Sequence, residues 1–425
     1  MTRLIRSMNY PRMIRIRQQV NAPVVSDLAA IVRQQVTDAA TTAGIGAGES
    51  VAVAVGSRGI SNLAAIVSAT VEALRGIGTE PFIFPAMGSH GGATSEGQIE
   101  VLGHYGIRES SVGAPIRSEI VPTEVGRTDD GIRVYVDKNA LAADHIVLIN
   151  RVKPHTDFRG PFESGLLKMM VIGMGKHQGA DLYHRAAMTH GFVHVITHVA
   201  DVLMGKCHMA FGLAILENAN ENTARIEAVP AADLMKREPE LLQEAFSLRP
   251  RLPFEECHLL IVDWMGKNIS GTGMDTNVIG RRMANNEPEF ESPRITRIFV
   301  RDLTAESNGN ALGTGLADFT TSRLVKKIDT KVTYINLLTG NGPQKGRIPM
   351  HFDTDAMVLD AALGTIGLLE PEDAHIMRIE STLKLRDLHV SEALLPLVRD
   401  RDDLEICGDP FPMPMDSAGN LQPMV

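Results

Sequence analysis

The side chains best suited to chemistry are concentrated in one stretch of the chain, residues 150–184. It reads NRVKPHTDFRGPFESGLLKMMVIGMGKHQGADLYH and follows DHIVLIN, an apolar run of strand length. Its candidate acids, bases and cation ligands are Lys153, His155, Lys168, Lys176, His177 and His184. Because α/β proteins bind ligands beyond the carboxyl ends of their strands, we predict that this stretch forms the centre of an active site.

A second candidate is the turn GSRG at 56–59, which follows a predicted strand and opens a predicted helix. Backbone amides at a helix start, together with Ser57 and the guanidinium of Arg58, can hold a phosphate or carboxylate. An ordinary turn with a solvated arginine has the same pattern. The turn is neither GxGxxG nor part of a GxxxxGK[ST] motif, which disfavours nucleoside-triphosphate chemistry.

The third candidate is the turn MGSHGG at 87–92, also at the end of a predicted strand. It places His90 between Ser89 and Gly91, and glycines such as Gly88 and Gly91 allow a ligand to approach the backbone closely. A histidine in the core would lie inside an element among apolar neighbours, whereas this one lies on a rim. We interpret Gly88, Ser89 and Gly91 as ligand-binding and His90 as functional.

Two histidines at separate strand ends, His90 and His155, suit a particular reaction type. If they approach a ligand from different sides, one can act as base and the other as acid, as racemisation or epimerisation requires. Lys168, in the otherwise apolar run SGLLKMMVIGMGK, can serve as a nucleophile or covalent anchor when burial disfavours its charge. The alternative is a lysine that extends along a helix edge to reach solvent.

A further set of histidines, His190, His194 and His198, recurs every four residues and predicts one face of a single helix. This spacing suits zinc, but the HExxH glutamate of metalloproteases is missing. A histidine stripe on a half-buried helix has the same spacing without a metal.

The elements that must position these residues follow an α/β order. Residues 22–43 predict an amphipathic helix capped by Ser26 or Asp27, two strand–turn–helix units follow, and residues 110–143 predict a β-rich insertion. We expect the helix after MGSHGG to begin at Thr94 or Ser95, with Ser95 and Gln98 matching a capping box. Strands alternating with helices predict a mostly parallel sheet.

The proline-rich segment at 248–256 predicts a boundary between an N-terminal cofactor-binding domain, residues 1–250, and a C-terminal domain, residues 251–425. The second half repeats the pattern with predicted strands in CHLLIVDWM, TRIFVRDLT and KVTYINLLTG. We therefore predict two α/β lobes with mostly parallel sheets and an active-site cleft between them.

Composition excludes several classes of function. A net charge of -9 argues against nucleic-acid binding, and no apolar run is long enough for a membrane span. The three cysteines, Cys207, Cys257 and Cys407, are too far apart for a disulfide framework, and no secretory signal is evident, so we expect a cytoplasmic protein. A homo-oligomer is left open.

Over residues 50–190 the chain resembles the nickel-pincer-nucleotide lactate racemases. The resemblance implies two α/β domains and a nickel ion held in a pyridinium-derived nucleotide that is tethered to a lysine. Lys168 in SGLLK is similar to the cofactor-bearing lysine, and His184 to the nickel-ligating histidine, with His177 as a substitute. His90 and His155 are similar to the two catalytic bases, and Arg58 to an arginine that binds phosphate or substrate.

Two departures from this family concern binding residues, and a third is a longer gap between His155 and Lys168. The family has Asp-His-Thr-Arg where this chain has Gly-Ser-Arg-Gly, and its substrate-orienting glutamine and lysine in the second lobe have no clear match. Lys267, Arg281 or Arg282 could replace that lysine as the binder of a substrate carboxylate.

The resemblance implies a racemase or epimerase of a 2-hydroxy acid or sugar acid, which acts by hydride transfer and binds a small carboxylate substrate. Protein made without the biosynthetic enzymes of the cofactor is expected to lack it. Two alternatives remain: a metal-dependent hydrolase that uses His184 and the histidine stripe, and a non-catalytic protein that binds phosphates or nucleotides.

Overall fold

The computed structural model describes residues 9–20, 22–57, 59–284 and 287–424. Contacts divide the chain into an N-terminal unit, Ala22–Arg249, and a C-terminal unit that combines the chain from Pro250 onward with the residues before 22. Both units combine helices with sheets that are mostly parallel, which confirms the predicted α/β class. No helix within the described ranges has the length and hydropathy needed to cross a membrane.

The N-terminal strand lies in the C-terminal unit, whereas the sequence grouped residues 1–250 together. This strand, β1 (Met13–Gln18), pairs with two strands near the end of the chain. Its alternating isoleucines, Ile14 and Ile16, are fully buried in the core of that unit. The pairing joins residues almost 400 positions apart, and local sequence patterns carry no information about such a contact.

The N-terminal unit is built around a five-stranded sheet with helices on both faces. Its strands are β2 (Ser50–Val55), β3 (Glu80–Pro85), β6 (His145–Arg151), β7 (Met209–Glu217) and β8 (Thr223–Pro230), and β4 (Thr123–Arg127) and β5 (Arg133–Val136) form a separate hairpin. Its helices are α1 (Leu28–Thr42), α2 (Leu63–Gly76), α3 (Ser95–His104), α4 (Glu109–Val112), α5 (Lys138–Leu141), α6 (Leu166–Lys168), α7 (Lys176–His190), α8 (Phe192–Lys206) and α9 (Leu234–Leu248). A π-helical turn, Met169–Gly173, follows α6.

Alternate residues of the central strand β2 point into two different cores. Val51, Val53 and Val55 pack in one core with residues of α1 and α2, and Ala52 and Ala54 pack in the other with α6, α8 and α9. A strand buried on both faces must be apolar throughout, as SVAVAV is. The sheet order β3-β2-β6-β7-β8, parallel except for β8, places β2 between β3 and β6.

The helix starts agree with the predicted residues at α1 and at α3, but the predicted capping box at α3 does not form. Asp27, one of the two predicted caps, accepts a hydrogen bond from the backbone N–H of Ala30. At α3 the capping side chain is Thr94, which accepts from the Gly97 N–H, and the predicted Ser95–Gln98 capping box does not form. The Gln98 side chain is buried instead and donates to backbone carbonyls of the preceding turn.

The C-terminal unit contains an eight-stranded mixed sheet in the order β12-β11-β10-β9-β13-β14-β1-β15. Its further strands are β9 (Glu256–Met265), β10 (Arg294–Leu303), β11 (Phe319–Thr321), β12 (Met350–Phe352), β13 (Ile376–Ile379), β14 (Asp387–Ser391) and β15 (Leu404–Ile406). Its helices are α10 (Thr276–Ile279), α11 (Ser322–Lys326), α12 (Thr330–Thr339), α13 (Asp355–Leu363) and α14 (Leu395–Arg399). Neighbouring strands are parallel from β12 through β11, β10 and β9 to β13. Beyond β13, the strands β14, β1 and β15 each pair antiparallel with the strand before them.

The segment KVTYINLLTG was predicted to be a strand, and this was wrong: it forms helix α12. Asp329 caps the helix by accepting from the Val332 N–H. Its buried residues, Thr333 and Leu337, are four positions apart and therefore lie on one face of the helix. The β-branched residues that suggested a strand include the exposed Val332 and Ile335.

Candidate active site

Three strand ends lie side by side in the N-terminal unit, as the sequence predicted. β3, β2 and β6 are adjacent and parallel, so the turns that follow them leave the same edge of the sheet. The segment that carries Lys168 is attached to all three. Asn150 donates to the carbonyl of Gly165 at 2.7 Å, and Gly88 N–H donates to the carbonyl of Gly173 at 3.2 Å. A β-carbon at Gly56 would lie 3.0 Å from the Met169 side chain.

His155 and Lys168, two of the predicted functional residues, are in direct contact. The Lys168 Nζ atom is hydrogen-bonded to His155 Nε2, and His155 Nδ1 accepts from the Asp157 backbone N–H at 2.9 Å. Because a backbone N–H can only donate, Nδ1 is the acceptor of the Asp157 bond, and Nε2 is the ring nitrogen that faces Lys168.

The loop that carries His155 is held by a buried carboxylate. Glu163, only 1% exposed, accepts from the backbone N–H of His155 at 2.6 Å and from the guanidinium of Arg159 at 3.1 Å. Arg159 also donates to the carbonyl of His155. These bonds fix the backbone at the histidine, and the ring is bonded in addition to Asp157 and Lys168.

An aromatic surface lies beneath these polar groups. The rings of His155 and Phe158 are 4.4 Å apart, and Phe158 stacks on Phe192 at 4.7 Å. His184 meets Phe192 edge-on at 5.5 Å, and Lys168 Nζ lies 5.6 Å from the centre of the Phe158 ring. Apolar rings exclude water and strengthen the electrostatic interactions beside them. Phe158 and Phe192 bring His155, Lys168 and His184 into one group.

His184, the predicted nickel ligand, is oriented by its own helix. Its Nδ1 atom donates to the carbonyl of Ala180 at 2.6 Å, so Nε2 carries the lone pair. Burial lowers the pKa of His184, which favours the neutral ring at neutral pH. A neutral imidazole whose other nitrogen is bonded to a carbonyl is the usual state of a metal-ligating histidine. His177, the predicted substitute, is exposed on α7.

The second candidate base, His90, is paired with Ser57. The Ser57 hydroxyl is hydrogen-bonded to His90 Nδ1, and Tyr105 donates its hydroxyl hydrogen to the Ser57 carbonyl at 3.0 Å. His90 itself is exposed. Arg58 lies outside the described residues, so the role predicted for it remains a prediction.

The glycines of the MGSHGG turn allow close packing between protein segments. Gly91 has φ +65°, and a β-carbon on it would lie 2.6 Å from the backbone of Gly97. A β-carbon at Gly88, with φ +57°, would lie 3.2 Å from both Ala180 and the Ile172 carbonyl. The sequence explained these glycines by the approach of a ligand. In the structure, each of these glycines packs closely against another segment of the protein, which leaves little room for a β-carbon.

A buried polar network supports the same turn, and sequence reasoning missed most of it. Lys176 donates to the carbonyl of Pro85 at 2.8 Å and to the side chain of Gln98 at 2.9 Å, and it lies 3.2 Å from Asp137. Gln98 in turn donates to the carbonyls of Gly88 and His90. The side chains of Lys176, Gln98 and Asp137 are fully buried. The network therefore ties the start of α7 to the backbone of the His90 turn.

Glu238, also missed from the sequence, lies against the backbone just ahead of Lys168. Its carboxylate is 1% exposed and accepts from the Leu167 N–H at 2.9 Å, and its Oε1 atom has no hydrogen-bond partner among the described residues. Burial raises the pKa of Glu238 to about 7. One signal was available: Glu238 falls on the apolar face of α9, in line with Leu234 and Leu241.

This carboxyl group should make stability depend on pH. The pKa of Glu238 is about 7 when folded and about 4.3 when unfolded, so the folded state binds more protons between these values and stability falls as pH rises through them. Glu238→Gln keeps an acceptor for the Leu167 N–H but does not titrate. As pH rises from 4 to 8, its free energy of unfolding should therefore increase relative to that of the wild type by up to about 3 kcal/mol. Urea unfolding at both pH values measures this difference. An equal difference at both would show that Glu238 does not titrate in this range.

The three candidates in the C-terminal unit make bonds within that unit. Lys267 donates to the carbonyl of Gly271, and Arg281 pairs with Asp318 at 2.7 Å. Arg282 is 2% exposed and pairs with Glu287 at 3.1 Å. A substrate carboxylate would have to compete with Asp318 for Arg281 and with Glu287 for Arg282.

Comparison with known proteins identifies a similar domain and a similar fold. Residues 7–193 match the family model described as the lactate racemase N-terminal domain. No curated protein is similar to the chain in sequence. Among solved structures, the chain is similar to the lactate racemase apoprotein from Thermoanaerobacterium thermosaccharolyticum, with a TM-score of 0.51 and 12% identity over 87% of this chain and 94% of that one. At this identity the similarity concerns the fold. Residues 7–193 thus match the N-terminal domain of lactate racemases, and the chain as a whole shares the fold of a solved lactate racemase.

Proposed function

We propose that this protein is a racemase or epimerase of a 2-hydroxy acid or sugar acid that uses a nickel-pincer nucleotide attached to Lys168. The observation that carries the proposal is the contact between Lys168 and His155 above Phe158, with His184 on the same aromatic surface. A lysine amine placed for covalent attachment, a histidine base and a neutral histidine ligand are the groups that this chemistry needs.

The residues present fit such a cofactor. The Lys168 amine would hold it covalently, and His184 Nε2 would ligate the nickel. The turn at Ser57, together with Ser89 and Gly91 of the next turn, would offer backbone amides to its phosphate. When bound, the cofactor would supply a carbon that accepts the α-hydrogen of the substrate as hydride and returns it to either face.

The protein's own part in the reaction is proton transfer and placement. A histidine near its reference pKa of about 6.5 can take the hydroxyl proton of a 2-hydroxy acid near neutral pH and return it later. His155 and His90 would do this on opposite faces of the substrate, and Ser57 would hold the His90 ring in one orientation. We expect Arg58 to bind the small carboxylate substrate.

The test is covalent loading of Lys168. The protein would be produced together with enzymes that make the nickel-pincer nucleotide, and its intact mass and nickel content would be measured. We expect a mass increment with about one nickel per chain in the wild type and in the control Lys153→Ala, which removes an exposed lysine of the same region. Lys168→Ala should lack both the increment and the nickel.

Other outcomes would support other functions. If the Lys168→Ala protein still carried the covalent cofactor, the assignment of Lys168 would be wrong. If the wild type carried neither increment nor nickel, the proposal would fail. Retained zinc with esterase activity would then indicate a hydrolase, and reversible phosphate binding without turnover would indicate a binding protein.

A further inference from the structure

Outside the candidate active site, three metal-binding side chains come together from three places in the chain. Asp130 lies in the turn between β4 and β5, His190 is the last residue of α7, and His194 lies in the first turn of α8. The sequence predicted one helix for the whole histidine stripe. The structure has two helices, because Gly191, with φ +81°, ends α7 and begins α8.

The geometry of the three groups suits a single cation. His194 Nε2 lies 2.8 Å and His190 Nδ1 lies 3.8 Å from Asp130 Oδ2, and the ligand atoms are all within 4.8 Å of one another. Tetrahedral ligands bound at about 2.0–2.1 Å lie about 3.4 Å apart. Small rotations of the exposed Asp130 and His190 side chains and of the half-buried His194 would therefore bring the three atoms around one ion.

Two further observations favour a metal ion over a simple ion pair. The Thr128 hydroxyl donates a hydrogen bond to Oδ1 of Asp130, which leaves Oδ2 directed at the two histidines. The rings of His190 and His194 are nearly parallel, with an angle of 20° and a separation of 5.2 Å. The two rings therefore lie beside each other, with one nitrogen of each directed at the same oxygen of Asp130.

We propose that Asp130, His190 and His194 form an accessory site for a divalent transition-metal ion such as Zn²⁺. Two imidazoles and one carboxylate are typical ligands of zinc, nickel or copper and are less suited to magnesium or calcium. The group of ligand atoms that lie within 4.8 Å of one another comprises these three residues and does not include His198. The site shares no residue with the group around Lys168.

An ion here would link the β4–β5 turn to the junction of α7 and α8. α7 carries His184, and α8 begins with Phe192, whose ring contacts that of His184. The bound ion would therefore restrain the two helices that hold part of the aromatic surface.

The experiment is a titration of the full-length protein with ZnCl₂ by calorimetry. His184→Ala would serve as the reference protein so that His184 cannot bind the added metal. We expect it to bind one zinc ion. In this reference protein, the further pair of changes His190→Ala and His194→Ala should weaken zinc binding by tenfold or more. The further change Asp130→Asn should weaken zinc binding to the same extent, and it lies outside both helices. Adding His208→Ala, which removes an exposed histidine elsewhere, should leave binding unchanged.

Hydrogen exchange on the same samples provides a second measurement. Zinc should slow exchange in the β4–β5 turn and at the α7–α8 junction of the reference protein, and should have no effect there in the Asp130→Asn variant. Equal zinc affinity with and without Asp130, His190 and His194 would overturn the proposal. So would the absence of zinc binding to a reference protein that keeps a wild-type circular dichroism spectrum.

Discussion

Replacing His155 with glutamine in the cofactor-loaded protein is expected to lower kcat for racemisation by about 10²- to 10⁴-fold, the usual contribution of a general base. Glutamine can still form hydrogen bonds to Asp157 and Lys168 but cannot take up a proton. His90→Gln should have an effect of the same order. Both rates are measured by chiral chromatography of a 2-hydroxy acid substrate.

Two controls separate loss of the base from loss of the fold or cofactor. His208→Gln changes an exposed histidine just before β7, at the amino-terminal ends of the parallel strands and so away from the site. This variant should keep the wild-type rate. Each variant must also retain its covalent cofactor by mass. A wild-type rate in loaded His155→Gln would remove His155 from the mechanism. In D₂O, racemisation by hydride transfer should leave the α-position unlabelled, and deuterium there would indicate proton abstraction from carbon instead.

Replacing Lys176 with methionine is expected to destabilise the N-terminal unit by about 3–5 kcal/mol, because it leaves the Asp137 carboxyl buried without its cation. Lys176 has φ +55°, but methionine also carries a β-carbon, so backbone strain is equal in both proteins. Burial raises the pKa of Asp137, and loss of Lys176 should raise it further. The destabilisation should therefore grow as pH rises above the ordinary carboxyl range.

The measurement is native-state hydrogen exchange of α3 and α7 at pH 5 and pH 8. Lys176→Met combined with Asp137→Asn is the matched control, since it removes the uncompensated charge and should recover part of the loss. In Lys176→Met, exchange should also increase in the His90 turn, which Gln98 supports. Unchanged protection of α7 in the single variant would show that the pair contributes no stability.

The strand ends and their order along the chain could be predicted from sequence because they depend on local patterns. The apolar runs SVAVAV and HIVLIN, each followed by a glycine- or proline-containing turn, predict buried strands that end at a site. The parallel pairing of β2 with β3 follows from the short helical connection between them, whereas β6 pairs with β2 across a long stretch of chain. The turn with Ser57 and the turn with His90 could thus be assigned to one edge of a sheet from local patterns, and the alternation of strands and helices extended that expectation to His155 and Lys168.

The partners of those residues could not be predicted, because they come from distant parts of the chain. Glu238 reaches the backbone of Leu167 from 71 positions away, and Gln98 is 78 positions from Lys176. α12 shows the same limit in secondary structure: its β-branched residues favour a strand locally, and burial of Thr333 and Leu337 on one helical face outweighs that preference.

The sequence by itself determined the α/β class, the three strand ends and the residue types that could carry a lysine-bound cofactor. These features depend on periodicity, turn residues and side-chain chemistry, all of which are local. Only the tertiary structure decided that Lys168 meets His155, that Phe192 joins His184 to Phe158, and that Asp130 meets two histidines across a helix break. The reason is physical: hydrogen-bond partners, ring contacts and burial arise from packing between segments far apart in the chain, and no local pattern contains them.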